Sequence, residues 1–163
     1  MPTHCSLSAG TGLLSIILSS MAKHYTVTDI AALVPLIQKN VSSNFPSGHN
    51  ISVQELDWTF LESATPSHQL KIFNAAEQPI DLLAVDCLYH PFLIPSFVST
   101  IDYLATPGRT AVLIVAELRA EDVLREFLER WLAQPSWEIW RIPNDNIGKH
   151  YVIWLGWKCI NMM

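Results

Sequence analysis

Short, nearly continuous apolar runs alternate with longer amphipathic runs along this chain, and the alternation narrows the choice of folds more than any other feature. Thr110–Glu117 (TAVLIVAE) is apolar almost throughout, as expected for a strand of a parallel sheet that is covered on both faces. The next segment, Ala120–Leu132, repeats its apolar residues at helical spacing and places them on one stripe. Alternating units of this kind predict a doubly wound α/β fold, in which helices cover a mostly parallel sheet.

The rest of the chain continues the pattern. Further helices are predicted over Leu13–Lys23, Ile30–Asn40 and Pro95–Leu104. Further strands are predicted over Tyr25–Thr28, Ile51–Leu56 and Asp81–Val85. The final apolar runs predict a closing antiparallel hairpin of Trp137–Ile142 with Tyr151–Trp157. A chain of 163 residues suits one domain with a sizeable core, so we expect a single domain over residues 1–163.

Charge and hydropathy exclude two classes of protein. The chain carries 10 Lys and Arg against 15 Asp and Glu, a formal net charge of −5, and 50% of its residues are hydrophobic. This apolar content is too high for a disordered protein. The acidic balance argues against a general binder of the phosphate backbone, so nucleic acid is not the expected partner.

The low charged fraction, 15% of residues, raises the question of a membrane protein. The most apolar segment, Leu13–Ala22, is about half as long as the roughly 20 residues that a spanning helix needs. A signal peptide would need a basic segment ahead of it, and residues 2–4 are Pro, Thr and His. We therefore expect neither a membrane span nor a signal peptide.

The cysteines and histidines form no recognisable metal or disulfide pattern. Cys5, Cys87 and Cys159 are odd in number and far apart, and the six histidines include no HxxxH pair. These spacings predict free thiols, no metal site and a reducing compartment. We expect a cytoplasmic protein, with the nucleus as the second choice.

A glycine-containing loop before the first predicted helix is the first candidate for a binding site. Ser8, Gly10 and Gly12 lie there, where glycines let a ligand approach the backbone and the free amides of a helix start. Asp29 closes the next strand, 19 positions after Gly10, at the spacing of an acid that holds the ribose hydroxyls of a nucleoside. The competing interpretation is a tight turn followed by a helix-capping Asp29, and the spacing alone leaves both open.

Polar residues also follow the next two predicted strands. Asp57 and Trp58 follow one strand, and Asp86 and Tyr89 follow the other. Because the carboxyl ends of parallel strands share one edge of a sheet, we expect these residues to converge with the glycine loop on one ligand site. Trp58 either stacks on an adenine ring there or fills the core, which is the commoner role of a tryptophan.

These motifs, in this order, resemble those of the class I, seven-β-strand S-adenosylmethionine-dependent methyltransferases, and more closely those of the family-16 protein-lysine methyltransferases. That family has Glu-Leu-Gly-x-Gly-Thr-Gly-Leu, then Thr-Asp, Leu-x-Trp and Asp-x-x-Tyr. The corresponding residues here are 6–13 (SLSAGTGL), 28–29 (TD), 56–58 (LDW) and 86–89 (DCLY). The resemblance covers essentially the whole chain, and Asp-x-x-Tyr is its most discriminating motif.

The resemblance implies a Rossmann-like fold, S-adenosylmethionine as the cofactor and a protein-lysine N-methyltransferase that acts on a lysine-bearing protein. The implied cofactor contacts are Ser8, Gly10, Gly12, Asp29, Asp57, Trp58 and Asp86. Asp86 and Tyr89 are the implied catalytic residues, which line the lysine entrance. Since a nearby carboxylate raises the pKa of an amine, Asp86 suits positioning of the amine better than the role of a strong base.

Several positions depart from the family's pattern. Ser6 stands where the family has an acid, and Ser8 stands where it has its first glycine. Only residues 1–7 precede the loop, and the Pro, Thr and His among them make a poor strand. The sequence therefore predicts an N-terminally shortened member with an incomplete first strand. Apolar surface left bare in this way would make the chain poorly soluble or self-associating.

Two alternative functions fit the same motifs. The first is a non-catalytic protein that keeps the fold, which Ser6 and the weak first strand favour. The second is a methyltransferase for RNA or a small molecule on the same fold. A neighbouring class with Asn/Asp-Pro-Pro-Tyr methylates adenine or glutamine nitrogens, but Cys87 and Leu88 replace the two prolines here.

Overall fold

The computed structural model describes residues 3–45, 49–59, 80–143 and 148–160. The strands, numbered in chain order, are β1 (Thr3–Leu7), β2 (His24–Asp29), β3 (Ile51–Glu55), β4 (Ile80–Val85), β5 (Ala111–Glu117), β6 (Trp137–Ile142) and β7 (Tyr151–Lys158). The helices are α1 (Leu13–Leu18), α2 (Val34–Asn44), α3 (Ile94–Leu104) and α4 (Glu121–Leu132). Short 3₁₀ turns cover Ser19–Met21 and Pro91–Leu93.

The seven strands form one sheet in the order β3-β2-β1-β4-β5-β7-β6. Strands β1 to β5 pair in parallel, whereas β7 runs antiparallel to both β5 and β6. The predicted doubly wound, mostly parallel and Rossmann-like sheet with a C-terminal antiparallel hairpin is thereby confirmed. The strand order reverses between β1 and β4, which is where such sheets bind ligands.

β1 lies in the middle of the sheet, and this strand corrects the prediction that residues 1–7 make a poor, incomplete one. Residues 3–6 pair with β2, and residues 3–7 pair with β4. Cys5 and Leu7 are buried on the face covered by α3 and α4. Parallel partners on both sides satisfy the backbone amides and carbonyls whatever the side chains are, so a weak strand pattern still forms a strand here.

The first two helices also differ from their predicted bounds. The sequence predicts a helix over Ile30–Asn40, whereas α2 starts at Val34, after a turn at residues 31–33, and extends to Asn44. Pro35 lies in the first turn of α2, where its missing amide would have had no partner within the helix, so it marks a delayed start and not a kink. The predicted helix Leu13–Lys23 ends early, because α1 stops at Leu18 and a 3₁₀ turn follows.

The larger part of the core lies between one face of the sheet and the pair α3 and α4. Aromatic rings run through it in contact with one another. The centroid of the Phe97 ring lies 4.6 Å from that of Trp58 and 5.8 Å from that of Phe127, which is 5.3 Å from Trp131. Phe97, Phe127 and Trp131 are fully buried, so the high apolar content of the sequence is used here for packing.

Helices α1 and α2 pack on the opposite face of the sheet, where their cluster centres on Tyr25, Val27 and Ile37. This cover does not reach the β5–β7–β6 part of that face. Trp140 is 58% exposed and Trp157 is 37% exposed there, beside the half-buried Leu113 and Leu155. We call these four residues the open sheet face.

Further apolar side chains are exposed on α1, where Leu13 and Ile17 are more than half exposed. In the part of the chain that the structure describes, no helix combines the length and apolar character needed to cross a membrane. Exposed apolar areas of this kind mark surfaces that associate with other molecules or with further copies of the same chain.

We expect the purified chain to associate through the open sheet face. Trp140→Lys places a charge on the edge strand β6 and removes the most exposed ring of this face, so it should shift the population toward monomer. Sedimentation velocity at several protein concentrations measures the shift. Gln38→Lys adds the same charge at an exposed position of α2 and should leave the distribution unchanged. A chain that stays monomeric at every concentration would contradict the prediction.

Candidate functional site

A cavity of about 930 Å³ opens where the sheet's strand order reverses, at the carboxyl ends of β1 to β4. Its volume lies within the range of about 300 to 1,000 Å³ that is common for small-molecule sites. Of the eight predicted site residues, seven line it: Ser8, Gly10, Asp29, Asp57, Trp58, Asp86 and Tyr89. The apolar part of the lining was not predicted and consists of Ala9, Leu13, Ile30, Leu33, Leu56, Val85 and Leu93.

The loop after β1 is built from residues with positive φ angles. Ser8, Gly10 and Gly12 have φ values of 53°, 59° and 79°. The loop is held to the neighbouring strand, because the Ala9 amide donates a hydrogen bond to the Thr28 carbonyl at 3.0 Å. Left-handed backbone costs a non-glycine residue roughly 1 to 2 kcal/mol, which explains physically why glycine suits the position of Ser8.

Gly12 does not line the cavity. It is the N-cap residue of α1, and its carbonyl accepts a hydrogen bond from the Ser15 hydroxyl at 2.6 Å. A Cβ atom at Gly12 would lie 3.0 Å from Cγ2 of Ile37. Glycine therefore suits this position because its φ is positive and α1 packs closely on α2 there.

Asp29 ties the end of β2 to the glycine loop. One carboxylate oxygen accepts a hydrogen bond from the Gly10 amide and the other accepts one from the Ile30 amide, each at 2.8 Å. The side chain is buried, yet it lines the cavity. A carboxylate offers about four acceptor positions, so each oxygen keeps a lone pair for a ligand while it anchors the loop.

Asp57 and Trp58 follow β3 on the far side of the cavity from Asp86. One Asp57 oxygen accepts hydrogen bonds from the amide and the hydroxyl of Thr59, at 2.9 and 2.7 Å. Trp58 is buried against Phe97 and also lines the cavity. The core-filling interpretation of Trp58 therefore holds. Its ring also forms a wall of the cavity, and stacking on an adenine ring stays a prediction.

Asp86 and Tyr89 follow β4 and stand at the exposed mouth of the cavity. Asp86 has a φ of 54°, and its amide donates to the Val115 carbonyl at 2.8 Å, which holds the turn against β5. The two residues between them, Cys87 and Leu88, are buried. The spacing of Asp-x-x-Tyr thus leaves the two polar side chains at the cavity while the middle pair packs into the core.

Arg119 follows β5 at the same edge. The sequence places residues 117–119 where the resembled family has similar residues, but no role was predicted from it for Arg119. Its Nη2 atom lies 2.9 Å from both carboxylate oxygens of Asp86, and its Nη1 atom lies 2.8 Å from Oε2 of Glu117. The signal was present in the sequence, because the strand-end argument used for β2, β3 and β4 applies equally to the residues after β5.

Burial raises the pKa of two thiols and one phenol near β1. The pKa values of Cys5, Tyr25 and Cys87 all rise to about 12, mainly because burial disfavours their charged forms. The Cys87 thiol donates to the Leu7 carbonyl at 3.2 Å and joins the ends of β4 and β1. These thiols are held as neutral packing groups, unlike the thiolate of a cysteine nucleophile.

Among the described residues, no three side chains of His, Cys, Asp or Glu lie close enough together to hold a metal ion. The polar groups of the cavity are carboxylates, backbone groups, a phenol and hydroxyls. Such a set recognises hydroxyl and amine groups of a ligand.

Comparison with known proteins adds independent information. The model of a family described as lysine methyltransferase matches residues 4–133. EEF1A lysine methyltransferase 3 of Xenopus tropicalis is 30% identical over 129 residues, which cover 78% of this chain and 52% of that protein. Ribosomal lysine N-methyltransferase 5 of Zygosaccharomyces rouxii is 26% identical over 168 aligned positions, which cover 85% of this chain and 53% of that protein. The chain spans about half the length of the curated relatives it matches.

Solved structures show the same architecture. Magnesium protoporphyrin IX methyltransferase from Synechocystis PCC 6803, solved with bound SAM, superimposes with a TM-score of 0.56 at 15% sequence identity. The superposition covers 95% of this chain and 70% of that chain. At 15% sequence identity, this superposition shows that the two chains share a fold and nothing more.

The strained loop leads to a prediction about stability. Ser8→Gly should raise the free energy of unfolding by about 1 kcal/mol, because glycine adopts the positive φ of this position without strain. Urea unfolding measures the change. Ser99→Gly, at an exposed position of α3, is the matched control and should lower the free energy of unfolding by about 0.5 kcal/mol. Equal signs for the two variants would contradict the strain at Ser8.

The raised pKa values lead to a prediction about pH. Cys5, Cys87 and Tyr25 keep their protons in the folded chain up to about pH 12, whereas the unfolded chain releases them from pH 9.0 (Cys) or 10.0 (Tyr) upward. The contribution of these three groups to the free energy of unfolding should therefore be constant below about pH 9. It should fall as the pH rises toward 12, because the unfolded chain then binds fewer protons than the folded chain. Urea unfolding from pH 8 to 11 tests this, and Cys5→Ala with Cys87→Ala should flatten the fall. A fall of equal slope in that double variant would assign it to other groups.

Proposed function

Because the chain belongs to the lysine methyltransferase family, whose model matches residues 4–133, we propose that it binds S-adenosylmethionine and methylates lysine side chains of a protein. The convergence of three strand-end carboxylates, those of Asp29, Asp57 and Asp86, on one mostly apolar cavity is the observation that carries the proposal. A nucleoside with a charged amino-acid tail presents hydroxyls and an amine to such groups and an apolar ring to the rest.

The residues of the cavity suit this cofactor. Asp29 has the free lone pairs to accept the two ribose hydroxyls while it holds the glycine loop. Trp58 with Ile30 and Leu33 offers an apolar slot for the adenine ring, and Asp57 borders it. The backbone of the loop at Ser8 to Gly10 would lie beside the methionine portion.

The protein's own residues are suited to alignment. When bound, S-adenosylmethionine supplies an electrophilic methyl group on a sulfonium, so the reaction needs a well-placed amine more than a strong base. Asp86 stands at the mouth of the cavity, where its carboxylate can accept a hydrogen bond from an acceptor amine. Tyr89 lines the same mouth with its half-exposed ring and narrows the path of a lysine side chain.

The relatives support a protein acceptor, because one is named an EEF1A lysine methyltransferase and the other a ribosomal lysine N-methyltransferase. We propose a lysine in a basic region of a protein as the substrate, since the net charge of −5 attracts such a region. RNA is the weaker acceptor for this chain, because the same charge repels its phosphates.

One observation favours a non-catalytic protein as the second candidate. Arg119 already holds both carboxylate oxygens of Asp86, which is the residue proposed to receive the amine. Ser6, which stands where the family has an acid, is buried and its hydroxyl has no hydrogen-bond partner among the described residues. A cofactor-binding but inactive chain would keep the cavity and lack transfer.

We also propose a cytoplasmic location, with the nucleus as the alternative. Cys5, Cys87 and Cys159 are all free thiols, which fits a reducing compartment. Imaging of the chain fused to a fluorescent protein at its C-terminus distinguishes the two compartments, and a secreted fusion would refute both.

Calorimetric titration with S-adenosylhomocysteine tests cofactor binding. We expect a saturable 1:1 complex, and we expect Asp29→Ala to weaken it by about a hundredfold, because two charge-assisted hydrogen bonds are lost. Asp122→Ala, at an exposed position of α4, is the matched control and should bind normally. No binding at millimolar ligand would overturn the proposal for this chain.

Transfer is tested with S-adenosylmethionine labelled in its methyl group and a cell extract as the acceptor. We expect label that is released by protease and resists nuclease. Asp86→Ala should still bind S-adenosylhomocysteine, because Asp29 and the glycine loop are intact, and lose most of the transfer. Binding without transfer in the wild-type chain would establish the non-catalytic alternative, and label released by nuclease would establish an RNA acceptor.

A further inference from the structure

Three charged side chains meet at the mouth of the cavity, at the ends of β4 and β5. Arg119 lies between the carboxylates of Asp86 and Glu117 and bonds both, at 2.9 and 2.8 Å. Within the residues that the structure describes, Arg119 is the cation that pairs with these two carboxylates. The three groups therefore carry a net charge of −1, and without Arg119 they would carry −2.

The sheet holds this arrangement in place. The Asp86 amide donates to the Val115 carbonyl at 2.8 Å, and the Arg119 amide donates to the Glu117 carbonyl at 2.9 Å. The Leu118 amide bonds the carbonyl of His150, which fixes the segment after β5 to the segment before β7. Backbone hydrogen bonds thus fix the positions of all three charged residues. Their side chains are held within hydrogen-bonding distance by the sheet itself.

An acceptor lysine imposes opposite demands on this mouth. Its amine attacks only in the neutral form, whereas the ordinary pKa of lysine, about 10.4, keeps it protonated at neutral pH. A carboxylate beside the amine orients it but also stabilises the protonated form. A cation bonded to that carboxylate cancels much of its stabilisation of the protonated amine. The carboxylate oxygens still keep lone pairs that can orient the amine.

We infer that Arg119 is a positioning residue of the acceptor entrance, which orients the Asp86 carboxylate and balances its charge so that a lysine amine is received in its neutral form. The inference rests on the proposed function, since Asp86 is taken as the group that meets the amine. Arginine fits this task better than lysine, because its fork bonds two carboxylates at once and it stays charged at every relevant pH.

Other titratable groups near the ion pair also influence the titration of an acceptor amine, so they limit how far it shifts when Arg119 is removed. On the elements packed around it these are Asp29, Asp57, Cys87, Tyr89, His90, His150 and Tyr151. Cys87 stays neutral because of its burial, and the two further carboxylates, Asp29 and Asp57, line the same cavity at the ends of β2 and β3. Since the Arg119 side chain is 45% exposed, solvent screens its charge, and we expect its removal to move an acceptor's titration by about one pH unit.

The pH profile of transfer tests the inference with variants of opposite sign. Arg119→Gln should move the acidic limb of the kcat profile up by about one pH unit, so that activity lost at pH 7 returns at pH 9. It should also lower KM for the protein acceptor, because a protonated lysine is bound more tightly. Glu117→Gln removes one negative charge and should move the limb down. Arg119→Lys keeps the charge and should leave the limb at its wild-type pH, but it should lower kcat because lysine lacks the fork that orients Asp86.

A binding measurement without turnover keeps the test independent of catalysis. n-Butylammonium reproduces the end of a lysine side chain, and its affinity is followed by NMR shifts of the Asp86 and Tyr89 amides in the complex with S-adenosylhomocysteine. We expect Arg119→Gln to bind it about tenfold more tightly at pH 7 and to leave the affinity for neutral n-butanol unchanged. Arg125→Gln, on the exposed face of α4, is the matched control and should change neither affinity nor the pH profile.

The outcomes separate the two claims. Tighter binding of n-butylammonium by Arg119→Gln in a chain that transfers no methyl group would support charge balance at the entrance and refute the enzyme. Loss of activity in Arg119→Gln at every pH, with unchanged n-butylammonium affinity and a folded circular dichroism spectrum, would refute charge balance. A shift of the acidic limb in the same direction for Arg119→Gln and Glu117→Gln would also overturn it.

Discussion

The parallel pairing of β1 with both β2 and β4 is the constraint on which the rest of the structure depends. The strand order reverses there, so the loop after β1 and the ends of β2 and β4 meet at one edge of the sheet. The Asp29 carboxylate then fastens the loop to β2 through the Gly10 amide. The polar side chains of the cavity take their places from the strand order, because each lies at the end of one of the strands β1 to β4 or in the short segment that follows it.

The same edge also carries charge and two of the three non-glycine residues that have positive φ angles in the described part of the chain. Ser8 and Asp86 both have positive φ angles, and each is the first residue after its strand. Such residues persist where the surroundings hold them, as the hydrogen bonds to β2 and β5 do here, and they cluster at functional sites. Arg119 completes the edge from β5, so the charge at the mouth is set by three residues from two neighbouring strands.

The fold was predictable wherever side-chain pattern decides local structure. The strand and helix predicted over Thr110–Glu117 and Ala120–Leu132 lie within one residue of β5 and α4. Prediction failed for residues 3–7, where two neighbouring strands impose extended backbone on a weak pattern, and at the start of α2, where Pro35 delays the helix. The close packing of Gly12 on Ile37 was not predicted either, because it depends on how α2 crosses α1.

The sequence by itself determined the α/β class, the strand ends and the residue types that follow them, because periodicity and local order along the chain carry that information. It also indicated seven of the residues around one cavity. Only the tertiary structure decided that Asp29 anchors the loop and that Trp58 packs in the core while it lines the cavity. It also decided that Arg119 pairs with the Asp86 carboxylate. Asp86 and Arg119 lie 33 residues apart in the chain, and a contact at that separation is set by which strands are neighbours, which no local pattern specifies.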